Sequence, residues 1–192
     1  MVVARIGVLA LQGDFEKHVR AFEAAGAEAR EVRTAQDLEG LSGLIIPGGE
    51  STTLTKLLLA DLRDSLLNFC RAHPVWGTCA GMIMLSKDSS DPRVKPLGFM
   101  DVEIIRNGYG RQVHSFEAEL RVSDEVEHPE SPLLGVFIRA PRITKIGENA
   151  RPLAWLGNDP VCVVQGHFMA SAFHPELTDD LRLHKYFLSL VA

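Results

Sequence analysis

The sequence is poor in the features that mark several large protein classes. Its 192 residues include three cysteines, Cys70, Cys79 and Cys162, which are too few and too scattered for a disulfide framework or a zinc ribbon. No apolar run approaches the roughly 20 residues that a membrane-spanning helix needs. The net charge of -5 argues against binding to nucleic acid or to an anionic membrane surface.

The composition that remains is typical of a soluble globular protein, with 46% hydrophobic and 23% charged residues. The length allows a sizeable buried core, and we expect one domain spanning residues 1–192. Residues 1–6 lack the layout of a signal peptide and resemble a first strand. Because the few cysteines suit a reducing compartment, we expect a cytoplasmic protein, with Cys70 and Cys162 as inert core residues.

Short apolar runs alternate with helical patterns in the first half, which predicts strands joined by helices. The predicted strands there are 6–11, 29–32, 44–46 and 75–76, and the predicted helices are 15–25, 51–60 and 62–72. The second half predicts strands at 102–106, 115–122, 135–138, 153–155, 161–165 and 168–173, and a helix at 180–191. We therefore expect an α/β fold, an open, doubly wound, flavodoxin-like and mostly parallel sheet with an antiparallel extension.

The most informative motif is Gly77-Thr78-Cys79-Ala80-Gly81, which follows a short apolar strand and precedes an apolar helix. Its spacing matches the nucleophile elbow Gly-x-Ser-x-Gly, with sulfur in place of oxygen. Glycines are needed on both sides because side chains would clash in so tight a turn. A cysteine held there, at the positive end of a helix, favours a reactive thiolate. We therefore predict Cys79 as a nucleophile.

A cysteine nucleophile needs a base, and the base needs a group that orients it. The segment Phe173-His174-Pro175-Glu176 supplies both, with His174 as the base and Glu176 as the orienting carboxylate. The rival base is His167, which lies near a strand start without a nearby acid. His18 and His184 lie on predicted helices, where we expect solvent exposure.

The loop Pro47-Gly48-Gly49-Glu50-Ser51 follows a predicted strand and fits an oxyanion hole. Attack on an amide carbon creates an oxyanion that fixed backbone N–H groups must meet. We predict the N–H groups of Gly49 and Ala80 as these donors. Taken singly, the loop also fits a simple turn, the cysteine a buried core residue, and the His-Pro-Glu segment a chance occurrence. The three together, in this order on an α/β pattern, favour the catalytic interpretation.

These motifs resemble the class I, or triad, glutamine amidotransferases, and among them the glutaminase subunits of pyridoxal 5'-phosphate synthase. The resemblance extends from the first strand to the last loop. It is carried by Gly7-Val8-Leu9-Ala10-Leu11-Gln12-Gly13, Pro47-Gly48-Gly49-Glu50-Ser51-Thr52-Thr53, Gly77-Thr78-Cys79-Ala80-Gly81, Arg106-Asn107, Tyr109-Gly110-Arg111-Gln112, Ser115-Phe116-Glu117, Phe137-Ile138-Arg139-Ala140-Pro141 and Phe173-His174-Pro175-Glu176-Leu177-Thr178.

The resemblance implies hydrolysis of L-glutamine to glutamate and ammonia through a Cys79-His174-Glu176 triad and a thioester, without a cofactor or metal on this chain. Ammonia would pass to a (β/α)₈-barrel synthase subunit, expected as a dodecamer carrying up to twelve glutaminase subunits, on whose docking activity depends. Gln12 would relay that docking to the site. The glutamine-binding positions implied by the family are Gly49, Glu50, Ser51, Arg106, Ile138 and Arg139.

Arg106 or Arg139 could meet the substrate carboxylate, because a guanidinium does so with directional hydrogen bonds; alternatively, Arg139 is a surface arginine. The chain departs from the family pattern at Met82, Ala172 and His114, and a role for His114 stays open. Three alternatives also stay open: a glutaminase feeding another synthase, such as an imidazole-glycerol-phosphate type, a cysteine-elbow peptidase or redox protein, and a binding module with a vestigial site.

Overall fold

The computed structural model describes residues 3–58, 60–110 and 115–191. The strands in this part of the chain are β1 (Arg5–Leu9), β2 (Glu28–Val32), β3 (Gly43–Ile46), β4 (Val75–Thr78), β5 (Ser86–Asp88), β6 (Met100–Ile105), β7 (Ser115–Val122), β8 (Leu133–Ile138), β9 (Arg142–Ile146), β10 (Arg151–Leu156), β11 (Asp159–Gln165) and β12 (Phe168–Ser171). The α-helices are α1 (Phe15–Ala24), α2 (Ser51–Leu57), α3 (Ala60–Ala72), α4 (Ala80–Leu85) and α5 (Arg182–Val191).

The main sheet has nine strands in the order β2-β1-β3-β4-β12-β11-β10-β7-β8. The first five run parallel to one another, and β11, β10, β7 and β8 extend the sheet in antiparallel pairs. The order 2-1-3-4 is the one found in flavodoxin-like sheets. The predicted fold class, a mostly parallel sheet with an antiparallel extension, is confirmed.

The central strands β3, β4 and β12 are buried along their whole length. A parallel sheet covered on both faces requires such continuous apolar runs, which is why these strands are visible in the sequence. Gly43 lies in this interior: a Cβ there would stand 3.0 Å from Val191 and 3.3 Å from Ile6. The sheet and the C-terminal helix α5 therefore pack closely at this strand.

A second sheet was not predicted from the sequence. It has three strands in the order β5-β6-β9, with β5 parallel and β9 antiparallel to β6. The strand β5 has only three residues, Ser86, Lys87 and Asp88, and β9 buries one of its five residues. Such polar strands carry almost no periodic apolar signal. Buried residues of this sheet, among them Met100 and Ile143, belong to the same hydrophobic core as the main sheet.

Candidate active site

The predicted site residues meet at one edge of the main sheet. Gln12 follows β1, the Gly48-Gly49 loop follows β3, Cys79 follows β4, and His174 follows β12. These four strands are parallel neighbours, so their carboxyl ends lie side by side. This is where open α/β sheets form their sites.

The turn at Cys79 has the geometry of a nucleophile elbow. The Cys79 backbone has φ 49° and ψ -104°, a strained conformation for a residue with a side chain. A Cβ on Gly77 would lie 2.4 Å from the Gly81 backbone, and one on Gly81 would lie 1.9 Å from the Ile46 carbonyl oxygen. The two glycines of the motif are therefore sterically required.

Cys79 and His174 converge on the same point beside Gly48. A Cβ on Gly48 would lie 2.5 Å from His174 Cε1 and 3.2 Å from Cys79 Cβ, and both side chains line one pocket. Burial lowers the pKa of His174, but the Cys79 thiol and the Glu176 carboxylate outweigh it and raise this pKa to about 10. The imidazole brought from the end of the chain is thus held in its protonated form beside the sulfur.

Glu176 is the partner of His174, as the sequence predicts. Its Oε1 lies 2.8 Å from His174 Nδ1, and the carboxylate is almost entirely buried. Burial opposes ionisation, but His18 and His174 together lower the pKa of Glu176. The carboxylate is therefore charged, accepts a hydrogen bond from the Nδ1–H of the protonated His174, and leaves Nε2 directed away from the acid.

The rival base His167 lies at the opposite end of β12. Its Nε2 is 2.9 Å from the Cys70 carbonyl oxygen, and its own carbonyl accepts from Val75 N at the start of β4. One strand length thus separates it from Cys79, which follows the end of β4. The structure brings His174, and not His167, to the cysteine.

The expectation that His18 and His184 are exposed was wrong, because both are fully buried. They face the core from α1 and α5, and their ring centroids are 6.2 Å apart. Helical periodicity marks which residues share a face, but His occurs on both buried and exposed faces. His18 additionally lies 3.3 Å from Glu176 Oε2, a contact that the sequence does not indicate.

The loop after β3 is fastened to Gln12 by two hydrogen bonds. Gln12 Nε2 donates to the Glu50 carbonyl oxygen at 2.8 Å, and Glu50 N donates to Gln12 Oε1 at 3.1 Å. Gly49 has φ +126°, and a Cβ there would lie 2.9 Å from Gln12 Cδ. The predicted oxyanion donors Gly49 and Ala80 both line the pocket with Cys79. As the first residue of α4, Ala80 has no intrahelical acceptor for its N–H.

Glu50 caps helix α2 with its carboxylate. Thr52 and Thr53 donate to it from their backbone N–H groups and hydroxyls. Led by Thr52, these bonds lower the pKa of Glu50 to about 2. The Gly-Glu-Ser-Thr-Thr string therefore has a local structural role in the loop.

All six predicted glutamine-binding residues line the pocket, namely Gly49, Glu50, Ser51, Arg106, Ile138 and Arg139. The two arginines differ in their environments. Arg106 is paired with both Asp91 and Glu50, the latter at 2.7 Å. Arg139 is exposed, has φ 45°, and makes no ion pair within the described parts of the chain.

Sequence reasoning missed three residues of this site. Ile83 and Asn107 line the pocket, and Asp91 holds Arg106 from a turn after β5. Asn107 directly follows Arg106, so adjacency could have suggested it. Asp91 lies 15 positions from its partner in an irregular segment, and no local pattern marks it.

Several remaining expectations concern parts away from the triad. Arg111, Gln112 and His114 lie outside the described residues. Burial raises the pKa of Cys70 to about 12 and also raises that of Cys162, which favours unreactive thiols there.

Within residues 3–58, 60–110 and 115–191, no cluster of three or more His, Cys, Asp or Glu side chains could hold a metal ion. No helix in these ranges has the length and apolarity to span a membrane.

Comparisons with known proteins identify the class of this fold and site. A solved structure described as a glutamine amidotransferase has a TM-score of 0.89 and 47% identity, covering 97% of this chain and 98% of that one. The architecture is thus that of the class I glutamine amidotransferases.

The chain belongs to the SNO glutamine amidotransferase family, whose model matches residues 8–192. Two relatives bear the name pyridoxal 5'-phosphate synthase subunit PdxT. The one from Solibacter usitatus is 48% identical over 96% of this chain and 98% of its own length. The one from Deinococcus radiodurans is 50% identical over 96% of each. The resemblance seen in the motifs is therefore confirmed.

Proposed function

We propose that this chain is the glutaminase subunit of a pyridoxal 5'-phosphate synthase, and that residues 1–192 act as one glutaminase domain. The observation that carries the proposal is the buried Glu176-His174 pair directed at Cys79 on a strained elbow. The near-full-length similarity to proteins named as PdxT subunits supports the choice of synthase. A cysteine nucleophile must stay reduced, which suits the cytoplasm.

In the first half of the reaction, the Cys79 thiolate attacks the side-chain amide carbon of glutamine. The carbonyl π electrons move to oxygen, and the N–H groups of Gly49 and Ala80 stabilise that oxyanion. His174 then transfers its proton to the departing nitrogen, so that the C–N bond breaks, ammonia leaves and a thioester to Cys79 remains. Glu176 stabilises the protonated imidazole before this transfer.

In the second half, His174 accepts a proton from water as the water oxygen attacks the thioester. The C–S bond breaks, and the sulfur leaves as the thiolate that the protonated His174 again stabilises. The products are glutamate and one ammonia for each glutamine and water consumed. Ile83 and Ile138, which line the pocket with Cys79, suit the aliphatic part of such a substrate, and the buried Ser51 hydroxyl, which has no hydrogen-bond partner among the described residues, suits a polar part.

Within this function, Arg139 is our choice for the substrate α-carboxylate. The two terminal nitrogens of Arg106 already bind Asp91 and Glu50, one each, whereas Arg139 is exposed and lines the pocket. We expect Arg139→Gln to raise KM for glutamine about 10- to 100-fold with a smaller change in kcat, because it removes a charge-assisted bond made in ground and transition states alike. Steady-state kinetics measure this, and an unchanged KM would contradict the assignment.

Gln12 is proposed to transmit docking of the (β/α)₈-barrel synthase subunit to the oxyanion loop. Its two hydrogen bonds to Glu50 make the position of the loop depend on that of the β1 terminus. The relatives are named as subunits of a synthase. We propose a dodecameric barrel assembly carrying up to twelve glutaminase subunits.

The proposal is tested by measuring ammonia release from glutamine by the wild-type chain, with and without the barrel subunit. We expect the barrel subunit to stimulate release by at least about tenfold, since ordering one oxyanion donor is worth that much or more. Gln12→Ala should lose the stimulation and keep the unstimulated rate. Peptide hydrolysis without ammonia release would indicate a peptidase, and stimulation by a different synthase subunit alone would reassign the partner. Unchanged stimulation in Gln12→Ala would exclude the relay.

A further inference from the structure

The catalytic carboxylate Glu176 has an imidazole beside each of its oxygens. His174 Nδ1 contacts Oε1 at 2.8 Å, and His18 Nε2 lies 3.3 Å from Oε2. His18 and the Glu176 carboxylate are shielded from solvent, with 0% and 1% of their side chains exposed. His18 comes from α1, which packs against the short turn that carries Glu176. The contact therefore joins the first helix to the end of the chain, behind the site.

The surroundings of His18 determine which of its nitrogens carries the proton. Nε2 also lies 3.3 Å from Thr78 Oγ1, the residue before Cys79, whereas Nδ1 is buried without a hydrogen-bond partner among the described residues. If the proton were on Nδ1, a buried donor would lack an acceptor and the Nε2 lone pair would face a carboxylate oxygen. We therefore assign the proton to Nε2, where it donates to Thr78 Oγ1 and lies beside Glu176 Oε2, which has no hydrogen-bond partner among the described residues.

Burial disfavours the charged form of His18. Burial lowers its pKa, and the attraction of Glu176 only partly opposes that effect. The ring packs in one cluster with Trp76, 6.5 Å away, and His184, 6.2 Å away. The titratable groups that act on it are Glu176, His174, Asp14 and His184. A neutral donor can orient the carboxylate without removing the negative charge that His174 needs.

We propose that His18 is a positioning residue of the active site: its Nε2 edge, 3.3 Å from the otherwise unpartnered Oε2 of Glu176, keeps the carboxylate oriented so that Oε1 stays directed at His174 Nδ1. This role rests on the proposed function, in which His174 serves Cys79. A carboxylate bound at one oxygen alone can rotate about its last torsion. The His174 donor at Oε1 and the Nε2 edge of His18 beside Oε2 together restrict that rotation, and with it the His174 ring plane.

The test compares four variants of the full chain in complex with the barrel subunit. His18→Leu removes the donor, His18→Gln places an amide N–H near the position of Nε2, and His18→Asn places one too short to reach Glu176. His184→Leu is the matched control, since it removes an equally buried imidazole of the same aromatic cluster that has no hydrogen-bond partner among the described residues.

Two quantities are measured. The first is kcat and KM for glutamine. The second is the pH midpoint of Cys79 alkylation by iodoacetamide without glutamine, followed on the peptide that contains Cys79. We expect His18→Leu and His18→Asn to lower kcat about 10- to 100-fold, as other substitutions behind a catalytic ligand do, with KM within about threefold. The alkylation midpoint should move to higher pH, because a misdirected Glu176 no longer keeps His174 protonated. In His18→Gln, kcat and the alkylation midpoint should both be close to the wild-type values.

His184→Leu should match the wild type in kcat and midpoint, even if both leucine variants lower Tm. Equal kcat losses in His18→Leu and His184→Leu would indicate that His18 only packs in the core, and they would overturn the proposal. If His18→Leu does not fold, the comparison of His18→Gln with His18→Asn tests the proposal. Equal kcat values for these two variants would overturn it. A midpoint shift confined to the His18 variants, in a chain that releases no ammonia from glutamine, would support the positioning role while refuting the glutaminase function.

Discussion

Replacing Cys79 with alanine is expected to abolish ammonia release from glutamine, with kcat reduced by at least about 10⁴-fold. Without sulfur no thioester forms, and the remaining oxyanion donors and His174 can only assist direct attack by water. Alanine is small enough for the elbow, and the Cys79 N–H to Ser171 carbonyl bond of 2.8 Å does not involve the side chain. The fold and glutamine binding should therefore persist.

The measurement is ammonia release in the presence of the barrel subunit, with glutamine binding followed by calorimetry. The matched control is Cys162→Ala, which removes a thiol that is fully buried in β11, outside the pocket. That variant should lower Tm slightly, through a small cavity, and leave kcat unchanged. Ammonia release by Cys79→Ala near the wild-type rate would refute the cysteine mechanism.

Replacing Glu176 with glutamine is expected to lower kcat about 10²- to 10⁴-fold. Glu176 accepts from His174 at one oxygen and faces His18 Nε2 at the other. A glutamine side chain offers one acceptor and one donor, so an N–H group must face another N–H group at one of these contacts. The variant also loses the charge that stabilises the protonated His174, and loss of the equivalent charge in other triads has effects of this size.

The same variant should change how stability depends on pH. The pKa of His174 is raised in the folded chain from 6.5 to about 10. Its stabilising contribution is therefore complete below pH 6.5 and is lost as pH rises towards 10. In Glu176→Gln the free energy of unfolding should fall less over this interval, because Cys79 and the Glu176 carboxylate together raise the pKa of His174 and the variant removes the second of these contributions. Urea unfolding at a series of pH values measures the difference.

The control for this change is Glu130→Gln. His128 and Glu130 repeat the same residue types at the same spacing, 3.4 Å apart, but their side chains are 75% and 70% exposed. Exposed pairs of this kind contribute little, so kcat and the pH dependence should match the wild type. If Glu176→Gln also matched the wild type in both respects, the triad assignment would fail.

Local sequence was a good guide wherever a short segment dictates its own geometry. The elbow at 77–81 is visible because two glycines are sterically obligatory in it. The central strands β3, β4 and β12 are visible because they are buried along their whole length. Helix bounds were predicted less exactly. The helix predicted at 51–60 ends at Leu57, and the helix predicted at 62–72 begins at Ala60.

Contacts between distant segments were beyond the reach of such reasoning. The pairing of Arg106 with Asp91 joins β6 to a turn that no periodicity marks. In the small sheet the sequence predicted β6, but its partners β5 and β9 are too short or too polar to stand out. His18 and His184 were placed on the wrong face, because the helix pattern alone does not say whether a histidine points inward.

By itself, the sequence determined the α/β class and the cysteine elbow, and it favoured the segment of His174 and Glu176 as base and acid, because each of these depends on residues close together in the chain. Only the tertiary structure decided that His174 and not His167 reaches the cysteine, that Arg106 is occupied by carboxylates while Arg139 stays exposed, and that His18 faces the catalytic acid. These outcomes depend on which strand ends and helix faces meet across the sheet. That meeting is set by the packing of the whole core, which no local pattern encodes.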